Sequence, residues 1–182
     1  MIDLKTLPSR LPPLSNGEHQ VSIQRVADKH SMALCEAGQA SIHHVRPWLG
    51  SELCPVTLPA ARQCIEILKQ QREQGYGITY LLLHNERCLG MGLINYIHPV
   101  HKSANLGFWI RPDACGKGLA VGLARTLVKL AFSQMGLQRI ELLIEPGNKS
   151  SQRVAIKLGA EKEGVCRKRI FGRDALLFSL TD

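Results

Sequence analysis

Along this chain the spacing of apolar residues changes several times, and each change marks an element. Gln20–Val26, QVSIQRV, places Val21 and Ile23 two residues apart, the period of a strand. From Ala27 to Ala40 the pattern suits a helix, and VRPWLG (Val45–Gly50) is expected to break the chain at Pro47. Thr57 reads as the N-cap of a helix over Leu58–Gln74, with Pro59 in its first turn and Gly75 beyond its end. Strands follow at Ile78–His84 and Cys88–Ile97 around a polar turn at Asn85–Arg87, and a third at Asn105–Ile110 is stopped by Pro112.

The clearest helical pattern comes next. Leu119, Ala120, Leu123, Ala124, Leu127, Val128, Leu130 and Ala131 share one face, while Gly122, Arg125, Lys129 and Ser133 share the other. Gly136 closes this helix. A strand over Arg139–Glu145, a Pro146-Gly147-Asn148 turn, a short helix over Ser150–Leu158 and two strands, Ala160–Arg167 and Asp174–Leu180, complete the pattern. The three prolines of LPSRLPPL (Leu7–Leu14) rule out helix, so residues 1–17 are expected to be an extended N-terminal arm. This order predicts an α/β fold: a single mixed, largely antiparallel sheet with helices on both faces.

Composition narrows the class. A chain of 182 residues, 45% of them hydrophobic, can bury a core as one domain spanning 1–182. Its six cysteines (Cys35, Cys54, Cys64, Cys88, Cys115 and Cys166) include no Cys-x-x-Cys pair, so neither a zinc site nor a redox motif is signalled and no metal is expected. Scattered thiols suit a reducing compartment. The first 17 residues lack the apolar core of a secretion signal, and no stretch approaches the roughly 20 apolar residues of a membrane span. The expected location is the cytoplasm, away from membranes. A net charge of +8 implies an anionic partner (nucleic acid, an acidic protein or a phosphorylated cofactor) or simply a solvated basic surface. Aromatics are 5% of residues and do not interleave with basic ones as on a base-stacking platform, so nucleic acid is not favoured. Arg167–Arg169 is the one tight basic cluster.

The segment RPDACGKGLAVGLARTLVKLAF (Arg111–Phe132) poses a specific question. A helix leaves its first four N–H groups without internal partners, yet Ala114, Cys115 and Gly116 provide no cap. Between Ala114 and Met135 there is no acidic residue, while Lys117, Arg125 and Lys129 are present. A strand, a Gly-rich turn and an uncapped helix make an anion site, because free amides and the helix dipole point the same way. A tight turn with water on its amides is the plainer reading. A Walker A loop is excluded because Gly118 follows Lys117, and the dinucleotide Gly-x-Gly-x-x-Gly is missed.

At these residues the chain resembles the GNAT N-acetyltransferases. CGKGLA (Cys115–Ala120) is similar to their Gln/Arg-x-x-Gly-x-Gly/Ala signature, and NKSSQRVAIKLGAEKEG (Asn148–Gly164) to their second block. LGFWI (Leu106–Ile110), FGRDALLFSL (Phe171–Leu180) and VRPWLG extend the likeness to the RimJ/RimL branch, the ribosomal-protein N-terminal acetyltransferases. The resemblance implies the GNAT fold and acetyl-CoA as cosubstrate, with its pyrophosphate on Cys115, Gly116, Lys117, Gly118, Leu119 and Ala120. It assigns the pantetheine arm and the oxyanion to the backbone of Trp109 and Ile110, and a further pantetheine contact to Asn148. Two departures stand out: Cys115 replaces the usual Gln or Arg, and Ile170 falls where some members of the branch carry a general-base Glu.

The chemistry this implies is attack of a neutral amine on the thioester carbonyl, through a tetrahedral intermediate. A free α-amine, with a pKa near 8, is roughly a tenth deprotonated at pH 7; a lysine near 10.4 is almost wholly protonated. By resemblance Ser151 protonates the departing thiolate, though a serine there also suits a helix cap. Glu145, on one face of its strand with Glu141, is a candidate base, against the plainer reading of a solvent-facing carboxylate. Trp48 is expected to floor the acceptor pocket, by the same resemblance. His43, His44, His98 and His101 read as surface or packing residues. The expected partner is the N-terminus of an acceptor protein, ribosomal and acidic, and the enzyme a monomer or homodimer. A small-amine N-acetyltransferase and a non-catalytic CoA-binding protein are the alternatives.

Overall fold

The computed structural model describes residues 3–16 and 19–182. Its elements run β1 (Arg10–Asn16), β2 (His19–Arg25), α1 (Ser31–Leu49), α2 (Leu58–Glu73), β3 (Gly77–His84), β4 (Arg87–His98), β5 (Ser103–Ile110), α3 (Leu119–Ser133), β6 (Arg139–Ile144), α4 (Lys149–Leu158), β7 (Glu161–Ile170) and β8 (Arg173–Thr181). The eight strands form one sheet in the order β1-β2-β3-β4-β5-β6-β8-β7. Every neighbouring pair is antiparallel except β5 and β6.

Strand alternation divides the apolar residues between two cores. Leu81, Leu83, Cys88 and Met91 face α1 and α2, where they meet Leu34, Ala37, Val45, Ile65 and Leu68. Ile78, Tyr80, Leu82 and Ile94 face the other way, onto Leu123, Leu127 and Leu130 of α3. A strand covered on both faces reads as a continuous apolar run, and β3 is buried along nearly its whole length.

Two elements differ from the sequence expectation. The arm is in part an edge strand: β1 pairs with β2, and its register slips between Leu11 and Leu14, where Pro12 and Pro13 sit. Prolines are tolerated there because an edge strand needs ladder donors on one side only. Leu4, Leu7 and Leu11 anchor this segment in the α3-side core. The second difference is α1, which does not end near Ala40 but runs on to Leu49 with Pro47 in its last turn. Burial of Ser41 and Val45 beneath this second half outweighs the one hydrogen bond that Pro47 forfeits. Gly50, at φ 74°, then ends the helix with its N–H on the Arg46 carbonyl, 3.0 Å away.

Candidate active site

The parallel pair β5 and β6 touches only at Ser103–Asn105 and Arg139–Glu141. Beyond those residues the strands part, β5 staying with β4 and β6 with β8. The split opens a cleft of about 770 Å³, lined by both strands, by α1, α2 and the start of α4, and by the β7–β8 hairpin.

Hydrogen-bond alternation determines what β5 offers to this cleft. The Arg111 N–H donates to the Leu89 carbonyl at 2.9 Å, so by the antiparallel pattern Trp109, opposite Met91, is also bonded into β4. Phe108 and Ile110 therefore turn their N–H and C=O groups to the open side. Of the two amides expected from the sequence, only that of Ile110 faces the cleft; the Trp109 amide is committed to the sheet. The Trp109 side chain packs in the core beneath α1 and α2, 4% exposed.

At the end of β5 the Gly-rich turn takes the shape its composition suggested. Gly116 and Gly118 have φ of 77° and 75°, a region side chains resist. An added Cβ on either would meet nothing within 4 Å, so the approach to the backbone is open. Gly118 is the N-cap of α3 and has no side chain to cap with. The first backbone N–H in this stretch to find a carbonyl is Gly122, on Gly118 at 2.9 Å; those of Gly116 to Val121 make no hydrogen bond among the described residues. Six successive donors at a helix N-terminus fit a pyrophosphate. Lys117 directs its Nζ back to the Asp113 carbonyl, 3.1 Å away.

The turn is tied down by a cluster that the sequence did not reveal. Arg111, its side chain 4% exposed, forms a bidentate pair with Glu36 of α1 (2.8 and 2.9 Å) and reaches Asp113 at 2.7 Å. Arg87 completes it on Asp113 at 2.5 Å. The Arg111 hydrogen bonds hold the Glu36 carboxyl below its usual range, and those of Arg87 do the same for Asp113. Glu36 lies 75 residues from Arg111, and no local pattern marks so distant a pair.

The opposite wall is built from side chains. Asn148 caps α4, its Oδ1 accepting from the Ser151 N–H at 3.1 Å. The cap that the sequence offered to Ser151 thus belongs to Asn148. Ser151 lines the cleft, and its hydroxyl makes no hydrogen bond among the described residues. Glu145 is placed against the role of base: Arg173 of β8 holds both of its oxygens, at 2.7 and 2.6 Å. Arg173 also donates to the Pro47 carbonyl at 3.2 Å, so the pair fastens β6, β8 and the end of α1 together. Trp48 lies over the β6–α4 turn, its ring 3.4 Å from where a Cβ on Gly147 would be. Ile170 lines the cleft at the end of β7.

Cys115 is exposed. Its Sγ lies 3.3 Å from the Arg111 carbonyl, 3.7 Å from that of Ile110 and 3.7 Å from His44 Nε2. Partial burial, and secondarily Asp113, raise its thiol pKa. Among the described residues, no helix is long and apolar enough to cross a membrane.

Comparison with known proteins fits this geometry. The acetyltransferase (GNAT) domain family matches residues 21–161, and the chain belongs to that family. Bacillus subtilis YdaF, provisionally named a ribosomal N-acetyltransferase, is 26% identical over 155 residues, covering 85% of this chain and 84% of its own. The ribosomal-protein-serine acetyltransferase of Escherichia coli is 26% identical over 104 residues, 57% of this chain and 58% of that one. Mycobacterium smegmatis RimJ, solved in complex with CoA-disulfide, superposes with a TM-score of 0.87 at 22% identity, over 96% of this chain and 88% of its own. The protein is thus an acetyltransferase of the GNAT fold, similar to ribosomal-protein acetyltransferases.

Proposed function

We propose that this protein transfers the acetyl group of acetyl-CoA to the N-terminal α-amine of a polypeptide, a ribosomal protein, in the cytoplasm. The observation that carries this reading is one continuous cleft. Its β5 wall ends at Cys115 and Ala120, which flank the turn that carries the uncapped amides, its middle carries Ile110, and its far wall carries Ser151. The names of two relatives, a ribosomal N-acetyltransferase and a ribosomal-protein-serine acetyltransferase, support a ribosomal protein as acceptor.

Each group has a task set by the reaction. The turn amides and the α3 dipole hold the pyrophosphate. The Ile110 N–H meets the thioester oxygen, where negative charge develops as the amine attacks. The Ser151 hydroxyl, on the first turn of α4, donates the proton that the departing thiolate needs. The acceptor enters past Tyr96, Phe171 and Ile67, which line the cleft yet stay 72%, 65% and 46% exposed. An apolar rim of this kind suits a polypeptide segment better than a small polycation. Arg169 stands on the same rim and favours acidic residues after the acceptor's first.

The test is incubation with acetyl-CoA, ribosomal proteins, peptides and small amines, with products located by mass spectrometry. Acetyl should appear on polypeptide α-amines, and blocking the α-amine should abolish it. Acetylation of spermidine or an aminoglycoside, with none on any peptide α-amine, would overturn the reading.

A further inference from the structure

The cleft holds few groups able to take a proton from the incoming amine. Ile170, where the resemblance implies a carboxylate, has no ionisable group. Both oxygens of Glu145 are taken by Arg173, and Glu141, held by Arg139 at 2.8 Å, does not line the cleft. Phenol, ammonium and thiol groups have reference pKa values too high for a base near neutral pH, which sets aside Tyr96, Lys149 and Cys115, whose thiol is raised further. That leaves Glu52, in the loop beyond α1, and His44.

The path of α1 distinguishes these two. The helix meets the end of β5 through Glu36 on Arg111 and reaches the end of β6 where Trp48 covers Gly147. Its second half therefore bridges the mouth of the split. His44 lies one turn before Trp48, so the two side chains share a face, and both line the cleft. His44 Nε2 lies 3.7 Å from Cys115 Sγ, which itself lies 3.7 Å from the Ile110 carbonyl. One side chain thus separates the imidazole from the strand end whose N–H faces the reacting carbonyl.

We propose that His44 is the general base of the acetyl transfer, a role that rests on the function proposed above. As the amine nitrogen bonds to the carbonyl carbon and the C–S bond breaks, His44 Nε2 takes the amine proton through one water. Ser151 gives a proton to the thiolate, and solvent restores both groups. An imidazole is suited to this because its reference pKa, about 6.5, lies close to working pH. The Cys115 thiol neighbours the His44 ring, and the cleft lining also carries Glu52, Tyr96, Glu145, Lys149 and Arg169. The Glu36–Arg111–Asp113 cluster lies two turns back along α1.

The experiment follows kcat against pH for the wild type, His44→Gln, His44→Ala and Glu52→Gln. The substrate is whichever amine the wild type acetylates, so the wild-type arm tests the acceptor and the variants test the base. His44→Gln should lower kcat about 100-fold and leave only the acid limb that the amine itself sets, with the acetyl-CoA Kd unchanged. Added imidazole should restore turnover to His44→Ala, and Glu52→Gln should cost less than His44→Gln. A kcat that survives His44→Gln, a loss confined to the acetyl-CoA Kd, absence of imidazole rescue, or a larger loss in Glu52→Gln would each overturn the assignment.

Discussion

The two walls of the cleft are made of different material. On the β5 side the polar groups presented are backbone: the Ile110 N–H and the six amides from Gly116 to Val121, held by two glycines at positive φ. On the β6 side they are side chains: Ser151, Asn148, Trp48 and the Glu145–Arg173 pair. A backbone site depends on conformation, so it is expected to tolerate Cys115 where the resemblance implies a Gln or Arg. A side-chain site depends on identity and on partners from distant elements. Substitutions that change backbone shape should therefore act most strongly on the first wall, and removal of single atoms most strongly on the second.

The largest effect is expected from Gly118→Asp. It forces a side chain into a left-handed conformation and sets a carboxylate where a pyrophosphate should lie. Acetyl-CoA affinity, measured by calorimetry on protein shown to be folded by circular dichroism, should fall by about 100-fold or more. That corresponds to roughly 2.7 kcal/mol. Ser151→Ala ranks next. It should lower kcat about tenfold or more with little change in the KM for acetyl-CoA, as for an interaction made mainly in the transition state. Asn148 remains to cap α4, so thermal stability should change little. A drop in Tm with unchanged kcat would assign Ser151 a structural role instead.

What the sequence makes legible follows the same division. The Gly-rich turn, the empty cap and the amphipathic face of α3 are local features, and residues 115–131 carry them unaided. The elements from α2 onward, Thr57 as N-cap among them, follow equally from local periodicity. The course of α1 past Pro47 was hidden because the burial of Val45, a tertiary term, decides it. The edge strand was hidden because its pairing partner β2 permits prolines that local rules forbid. Arg111 and Arg173 gave no signal, since their partners Glu36 and Glu145 lie far away in sequence. The resemblance gives the Trp109 amide to the ligand, whereas hydrogen-bond parity gives it to β4.

A third prediction probes the brace between the walls. Glu36→Gln leaves Arg111 buried with a weaker partner, so the turn should loosen and the KM for acetyl-CoA should rise several-fold. The carboxyls of Glu36 and Asp113 are held below their ordinary values, and Arg139 and Ser179 hold Glu163 at about 2. Lowered folded values stabilise above the unfolded values near 4, and that stability is lost as pH falls through the folded ones. Thermal melts should thus steepen in their acid dependence below about pH 5, and less so in Glu36→Gln.

Thiol labelling gives a smaller but sharper readout. Cys115 is exposed, whereas burial pushes Cys64 up to about 11 and Cys88 to about 12. Under native conditions Cys115 should react well before those two, and CoA should slow it. Rapid labelling of Cys88 in folded protein would contradict the packing described. The smallest effect belongs to Arg167–Arg169: neutralising them should weaken turnover of acidic peptides a few-fold at low salt, and less as salt rises, because such contacts are screened over about 10 Å at 0.1 M.

The central claim is that unpartnered backbone amides at the start of α3 grip the cosubstrate. Residue-resolved amide hydrogen exchange, with and without CoA, tests it most directly. Without CoA the amides of Gly116–Val121 should exchange rapidly while Gly122, bonded to Gly118, is protected. With saturating CoA those six, together with Ile110, should slow by about tenfold or more. Binding of CoA that leaves the exchange of Gly116–Val121 unchanged would contradict the account.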